Sequence, residues 1–256
     1  MNNLKSRIIP SLLMDEGRLI KTRQFKDPKY VGDPINAVKI FNEKRVDELG
    51  IFDITAWKRS EPNFKLLEKI SNEARMPLCY GGGIKSDDQA AEVIGIGFEK
   101  ISISRQAIIQ PDLIAKIATR IGSQSTVVTL DIKKRDFLGG WNVFIENGKT
   151  KVREELSAIL ERIVAAGVGE VIINCIDREG LMAGYDLELA RFVADRVNIP
   201  ITVLGGAGST DHMSDLIAAV GTVGAAAGSM FVFKGIHRAV LISYAKPQQH
   251  DKSETT

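Results

Sequence analysis

The sequence predicts an α/β fold, a (β/α)8 TIM barrel built from two homologous half-barrels. Three observations lead there. Eight short β-rich runs alternate with helical patterns, an internal repeat relates the first four runs to the last four, and the length of 256 residues suits one such domain. Strands separated by helices argue for a parallel sheet covered on both faces. Alternation alone leaves a doubly wound open sheet in play. The repeat favours closure, because two half-sheets that cannot bury their own edges are satisfied by closing on one another.

In chain order the strands read as residues 7–12, 47–55, 77–81, 100–104, 126–131, 170–177, 201–205 and 222–228. The segments between them have helical spacing, clearest at 153–166, where Leu156, Ile159, Leu160, Ile163 and Val164 share one face. Gly167 then stands where a helix end wants a left-handed residue. One segment breaks the rhythm. After Asp131, KKRDFLGG is followed by WNVFIENGKTKV, which reads as a strand, an Asn147-Gly148 turn and a return strand, a β-ribbon inserted after strand five. On a barrel that loop lies at the catalytic face, so the ribbon is either a wall of the site or a solvated ornament. Residues 1–245 are expected to form one domain and 246–256 a polar, disordered tail.

The repeat is one of spacing and composition. Gly81 lies 28 positions after Asp53, and Gly205 lies 28 after Asp177. Gly81 to Ser104 and Gly205 to Gly228 are both 23 positions. In the same frame IIPSLLMDEG matches VVTLDIKKR, which sets Leu13 against Asp131.

Net charge is +2, so no strong field points to nucleic acid or membrane. No apolar stretch approaches the ~18 residues of a membrane span, and the N-terminal apolar run is too short for a signal peptide. Cys79 and Cys175 both fall in apolar runs, which suits buried thiols in a reducing compartment better than a disulfide. The expected location is cytoplasmic.

The glycines carry the first chemical signal. Gly81, Gly82 and Gly83, and again Gly205, Gly206 and Gly208, follow a strand and precede a well-started helix. Glycine there lets backbone N–H groups approach a phosphate, and the helix dipole favours the anion. Ordinary tight turns also want glycine, but two such loops at equivalent positions suggest a ligand with two phosphate ends. Asp53, Asp131 and Asp177 close apolar strands, where barrel enzymes carry catalytic groups. Asp131 reads as functional and Asp53 as a loop anchor, while Asp177 suits either role. His212, His237 and His250 show no metal-ligand spacing, and neither a metal nor a cofactor is expected.

RIIPSLLMDEGRLIK, DELGIFDITA, GGGI, EKISIS, VVTLDIKKR, GEVIINCIDREGLMAGYD, GGAG and AAGSMF occur in that order. Together they resemble the cyclase subunit of imidazole glycerol phosphate synthase over roughly residues 4–245. The resemblance implies a barrel that pairs with a glutaminase. Ammonia passes through the barrel to a bis-phosphorylated substrate, and two aspartates serve as acid and base. The strand-five aspartate matches Asp131, whereas the strand-one aspartate falls on Leu13, which cannot move a proton. Lys21 matches a flexible-loop lysine that meets the substrate; Gly82, Gly83, Gly206, Gly208, Gly228 and Ser229 match the phosphate sites. Ser104 and Arg105 replace an Asn-Thr pair, and hydroxyl positions fall on Leu181 and Leu204, so the second-half phosphate site looks the more intact.

The family closes its ammonia entrance with charged residues, matched here by Arg7, Glu48, Lys100 and Glu170, and Glu99 falls at the glutaminase interface. Taken alone these could be salt bridges sealing a barrel bottom. Three readings remain: a paralogue that delivers ammonia to a third protein amidinating a bacterial surface sugar, a true cyclase of histidine biosynthesis, and a different phosphate-binding barrel isomerase. Leu13 with an intact gate favours the first.

Overall fold

The computed structural model describes residues 5–136 and 139–247. Eight parallel strands close on themselves: β1 Arg7–Asp15, β2 Leu49–Asp53, β3 Leu78–Gly81, β4 Lys100–Ile103, β5 Thr126–Lys134, β6 Glu170–Cys175, β7 Ile201–Leu204 and β8 Gly224–Ala227. Each pairs with the next, and β8 pairs with β1 through Arg7 opposite Gly224 and Pro10 opposite Ala227. The expected barrel is therefore present, and the open sheet is excluded. β6 shows why the strands read as continuous apolar runs: all six of its residues are buried.

Among the described residues seven helices of eight or more residues cover the outside: α1 Pro34–Glu43, α2 Phe64–Glu73, α3 Asp87–Ile96, α4 Asp112–Ile121, α5 Leu156–Ala165, α6 Leu187–Ala194 and α7 Thr210–Val220. α5 turns Leu156, Ile159, Leu160 and Ile163 onto the sheet, and Gly167 follows it at φ +89°. Ser86, Asp186 and Ser209 cap α3, α6 and α7 by accepting backbone N–H groups of the first turn.

There are two cores. The larger lies between strands and helices; the smaller lies on the barrel axis and holds Ile9, Cys79, Val127, Ile172, Leu204 and Ala226, with Phe52 against it. The axis is thinly filled. Gly50 and Gly81 make room for the Phe52 ring, since a Cβ on either would come within 2.9 and 2.8 Å of it. Both cysteines are free and buried.

The ribbon after β5 is present: Trp141–Ile145 pairs antiparallel with β5, and Thr150–Lys151 pairs back onto it. A second ribbon was not expected. β1 runs on past the barrel and turns at Glu16 and Gly17, both left-handed, into Arg18–Arg23 and Lys26–Gly32. β1 and β5 are the two nine-residue strands because each continues into its ribbon. The last departure is at the end of the barrel. In place of an eighth full helix the chain makes one turn, Ser229–Val232, then a hairpin of Phe233–Lys234 and Ala239–Val240. Of the predicted tail, residues 248–256 lie outside the described residues, while Lys246 pairs with Asp47 at 2.5 Å.

Candidate functional site at the two mouths of the barrel

One pocket opens at the C-terminal ends of the strands. Its lining brings together Leu13, Lys21, Gly206, Gly228 and Ser229 from the sequence prediction. Asn174, Glu179, Gly180 and Leu204 line it as well. Asp131 stands beside it at the end of β5 and accepts a hydrogen bond from Asn174 Nδ2 at 2.9 Å. Burial pushes the Asp131 carboxyl up to about 7, against the Asn174 hydrogen bond, and the nearby Glu179 charge adds to the rise. A carboxyl poised there can give or take a proton near neutral pH. Opposite it in the repeat, Leu13 can do neither; it is half-buried, pairing with Phe52 and Ile20. Asp15 and Glu16 do not line the pocket.

Lys21 lies not in an irregular loop but in the ribbon strand Arg18–Arg23, only 5% exposed. Two-residue left-handed turns close hairpins tightly, which is why this stretch is ordered as a ribbon. Its tip meets the other ribbon across the mouth. Phe25 packs on Gly148, where a Cβ would come 3.0 Å from its ring, and Asn147 Nδ2 donates to Ile54 O at 3.1 Å. The β5 ribbon thus backs Phe25, which lines the pocket, but adds no residue of its own to the lining.

The two glycine loops differ. Gly206 sits at φ +115°, and a Cβ there would strike Gly184 O, so only glycine fits against the loop after β6. The Gly208 N–H is donated to His212 Nδ1 at 3.1 Å and is not turned to the pocket's use. Gly82 and Gly83 lie outside the pocket's lining, packed on Asp53, Ala56 and Glu61. Arg105 occupies the position that Ser229 holds in the other half, and its guanidinium is tied to Glu146 at 3.2 Å. Asp53 anchors its loop, accepting from Thr55 and Ala56 and pairing with Arg59. Asp177 accepts Lys134 N–H at 2.8 Å, also as an anchor.

At the N-terminal mouth Arg7, Glu48, Lys100 and Glu170 form a closed ring. Arg7 pairs with Glu48 and, at 2.6 Å, with Glu170; Lys100 pairs with Glu48 at 2.9 Å and Glu170 at 2.8 Å. Thr202 Oγ1 donates to Glu170 at 2.5 Å. Burial alone would lower Arg7 and Lys100, but the two glutamates outweigh it and hold both above their ordinary values. Burial likewise opposes ionisation of Glu170, yet Arg7 and Lys100 hold it below the usual carboxylate range. Glu99 lies exposed beside the ring, with Oε2 accepting Leu78 N–H at 2.6 Å.

Between the mouths lies an axial cavity lined by Ile9, Glu48, Gly50, Phe52, Cys79 and Thr202 among others; it shares Ser11 and Leu204 with the upper pocket. Ser11 Oγ is buried there with no hydrogen-bond partner, as is Asn174 Oδ1. Ser11, Phe25, Asn174 and Glu179 line the site but escaped the sequence reading. Glu179 follows Asp177 in the run DREG, so a charged cluster after strand six was the available signal. Among the described residues no cluster could hold a metal ion, and no helix is long and apolar enough to cross a membrane.

A family described as histidine biosynthesis protein matches residues 7–237. A Leptospira borgpetersenii protein provisionally named imidazole glycerol phosphate synthase subunit HisF is 50% identical over 97% of this chain and 98% of its own. A Vibrio vulnificus protein provisionally named as subunit hisF3 is 47% identical over 98% and 96%. The imidazole glycerol phosphate synthase subunit HisF of Oceanobacillus iheyensis is 35% identical over 96% of each chain.

Proposed function

Because the chain belongs to the histidine biosynthesis protein family, we propose that it is the cyclase-type barrel of an imidazole glycerol phosphate synthase-like complex. In this reading a separate glutaminase docks at the N-terminal face, with Glu99 in the interface. The ring of Arg7, Glu48, Lys100 and Glu170 admits ammonia. An ammonium ion entering the apolar axis would bear the cost of an unpaired buried charge, so the neutral molecule is the one that passes. Ser11 Oγ, unpartnered where the axial cavity meets the pocket, offers it a hydrogen bond on the way.

The finer reading is a paralogue in which the barrel supplies ammonia to a third protein amidinating a bacterial surface sugar. One observation carries it: a complete ring at one mouth with Leu13 in place of a proton-transferring group at the other. A positioned acid or base is commonly worth 10²–10⁴ in rate. The higher identity to the provisionally named relatives supports it. Asp131, with its carboxyl raised to about 7, favours the second reading, an authentic cyclase forming imidazole glycerol phosphate and aminoimidazole carboxamide ribotide. In both, a phosphorylated small molecule sits against Gly206, Gly228 and Ser229, with Gly82 and Gly83 the weaker site.

Complementation separates the two. A cyclase-deficient strain carrying this gene is expected not to grow without histidine; growth at the normal rate would overturn the paralogue reading. Conduction is tested with the cognate glutaminase and acceptor. Arg7→Ala should leave glutamine hydrolysis active while raising the ratio of glutamate to aminated product. A wild-type ratio in an assembled complex would reduce the ring to a structural seal.

A further inference from the structure

The hairpin that stands in place of an eighth helix turns through Gly235 at φ +70° and Arg238 at φ +49°, and carries Arg238 back to the catalytic mouth. Its guanidinium lies 4.7 Å from the centroid of the Phe233 ring. It donates to Gly180 O at 3.0 Å and to Ser229 Oγ at 3.4 Å. Gly180 and Ser229 both line the pocket.

Lys21 reaches the same place from the ribbon after β1. Its Nζ packs so closely on Gly228 that a Cβ there would collide with it. Among the described residues this ammonium has no hydrogen-bond or ion-pair partner, although the side chain is only 5% exposed. Arg23 stands within electrostatic reach of Arg238. One carboxylate, Glu179, faces these cations, but its Oε2 already accepts from Thr22 Oγ1 at 3.0 Å and Phe25 N–H at 3.2 Å. Burial lowers both Lys21 and Arg238 from their ordinary values, and Glu179 offsets this only in part. The Lys21 ammonium is buried without an ion pair and the half-buried Arg238 guanidinium stands beside it, so an anion in the pocket would offset an unfavourable concentration of positive charge.

We propose that Arg238 and Lys21 form a clamp for the phosphate of a phosphate monoester seated against Gly228 and Ser229. The guanidinium supplies a planar fork and the ammonium a point charge, a pairing suited to a dianion's oxygens. The clamp deepens the phosphate reading of this pocket and depends on it.

The test uses the full chain and two probes, inorganic phosphate and ribose 5-phosphate, with ribose as the uncharged control. Binding is measured by calorimetry, together with the rise in thermal midpoint that each probe produces. Arg238→Met keeps an aliphatic stem over Phe233 and should weaken ribose 5-phosphate by roughly 10-fold or more. Arg238→Lys should recover part of that loss. Should Arg238→Met be less stable, its probe-induced rise over its own probe-free midpoint still reports binding. Affinity unchanged in Arg238→Met but lost in Gly228→Ala would overturn the clamp while the phosphate site stood. A wild-type protein that binds neither probe would overturn both.

Discussion

At the N-terminal mouth two cations and two anions are brought out of water and each finds its opposite; at the C-terminal mouth Lys21 is buried, Arg238 and Asp131 are half-buried, and none of the three has an ion pair. The ring is electrostatically finished. The pocket is not, and its unfinished charges are of the two kinds a phosphorylated substrate and a proton transfer would use. Polar groups repeat the contrast. Glu170 holds three partners at the ring, while Asn174 Oδ1, beside Asp131, is buried without one. Buried charge is tolerable when paired and otherwise marks where a ligand or a reaction belongs.

Breaking the ring should give the largest effect. Lys100→Ala leaves Glu48 and Glu170 facing only Arg7, and loss of one member of a buried ion network costs about 3–5 kcal/mol. The loss should depend on pH in a set direction. Glu170 is held below its ordinary 4.5, so the ring's contribution is present above that value and is lost as pH falls through the lowered one. Urea unfolding of wild type and Lys100→Ala should therefore differ most near neutrality and converge in acid. Curves that remain equally separated at pH 3 would break the comparison.

Asp131 should show the opposite sign. Its carboxyl rises from 3.8 to about 7 on folding, so the folded state is favoured in acid and loses stability as pH climbs from 3.8 to about 7, levelling off above. Asp131→Asn should abolish that decline and stabilise the protein at pH 8, by at most about 4 kcal/mol. Parallel stability profiles from pH 4 to 8 would mean that the carboxylate is already satisfied in its site.

The smallest effect sharpens the contrast. Arg105 and Glu146 pair at 3.2 Å, but both are only half-buried at the rim. Glu146→Gln should shift the thermal midpoint by no more than about 2 °C. A larger shift would place this pair with the ring and give the first half-barrel a structural centre of its own.

The strands and the Leu13–Asp131 contrast are legible in the sequence, as apolar runs and as a repeat, whereas the four ring residues stood out only through the family resemblance. An apolar run marks a buried strand, whereas only the closed barrel brings the charges at the starts of β1, β4 and β6 to one rim. The first ribbon was missed because its turn is Glu16-Gly17 rather than the Asn-Gly that flagged the second. The eighth helix was expected from rhythm alone, and nothing in SMFVFKG announced a hairpin.

By itself the sequence determined the barrel and the repeat that sets Leu13 against Asp131, since both depend on residue type at fixed spacing; Arg7, Glu48, Lys100 and Glu170 were singled out only by the family resemblance. Only the tertiary structure decided which groups share a pocket. Lys21 and Arg238 stand more than two hundred positions apart and meet because ribbon and hairpin both fold over the closed mouth. Gly82 and Gly206 look equivalent as letters, yet one is packed on Asp53 and the other lines an open site. Burial also turns an ordinary aspartate into a group titrating near 7, a property set by its surroundings and not by its place in the chain.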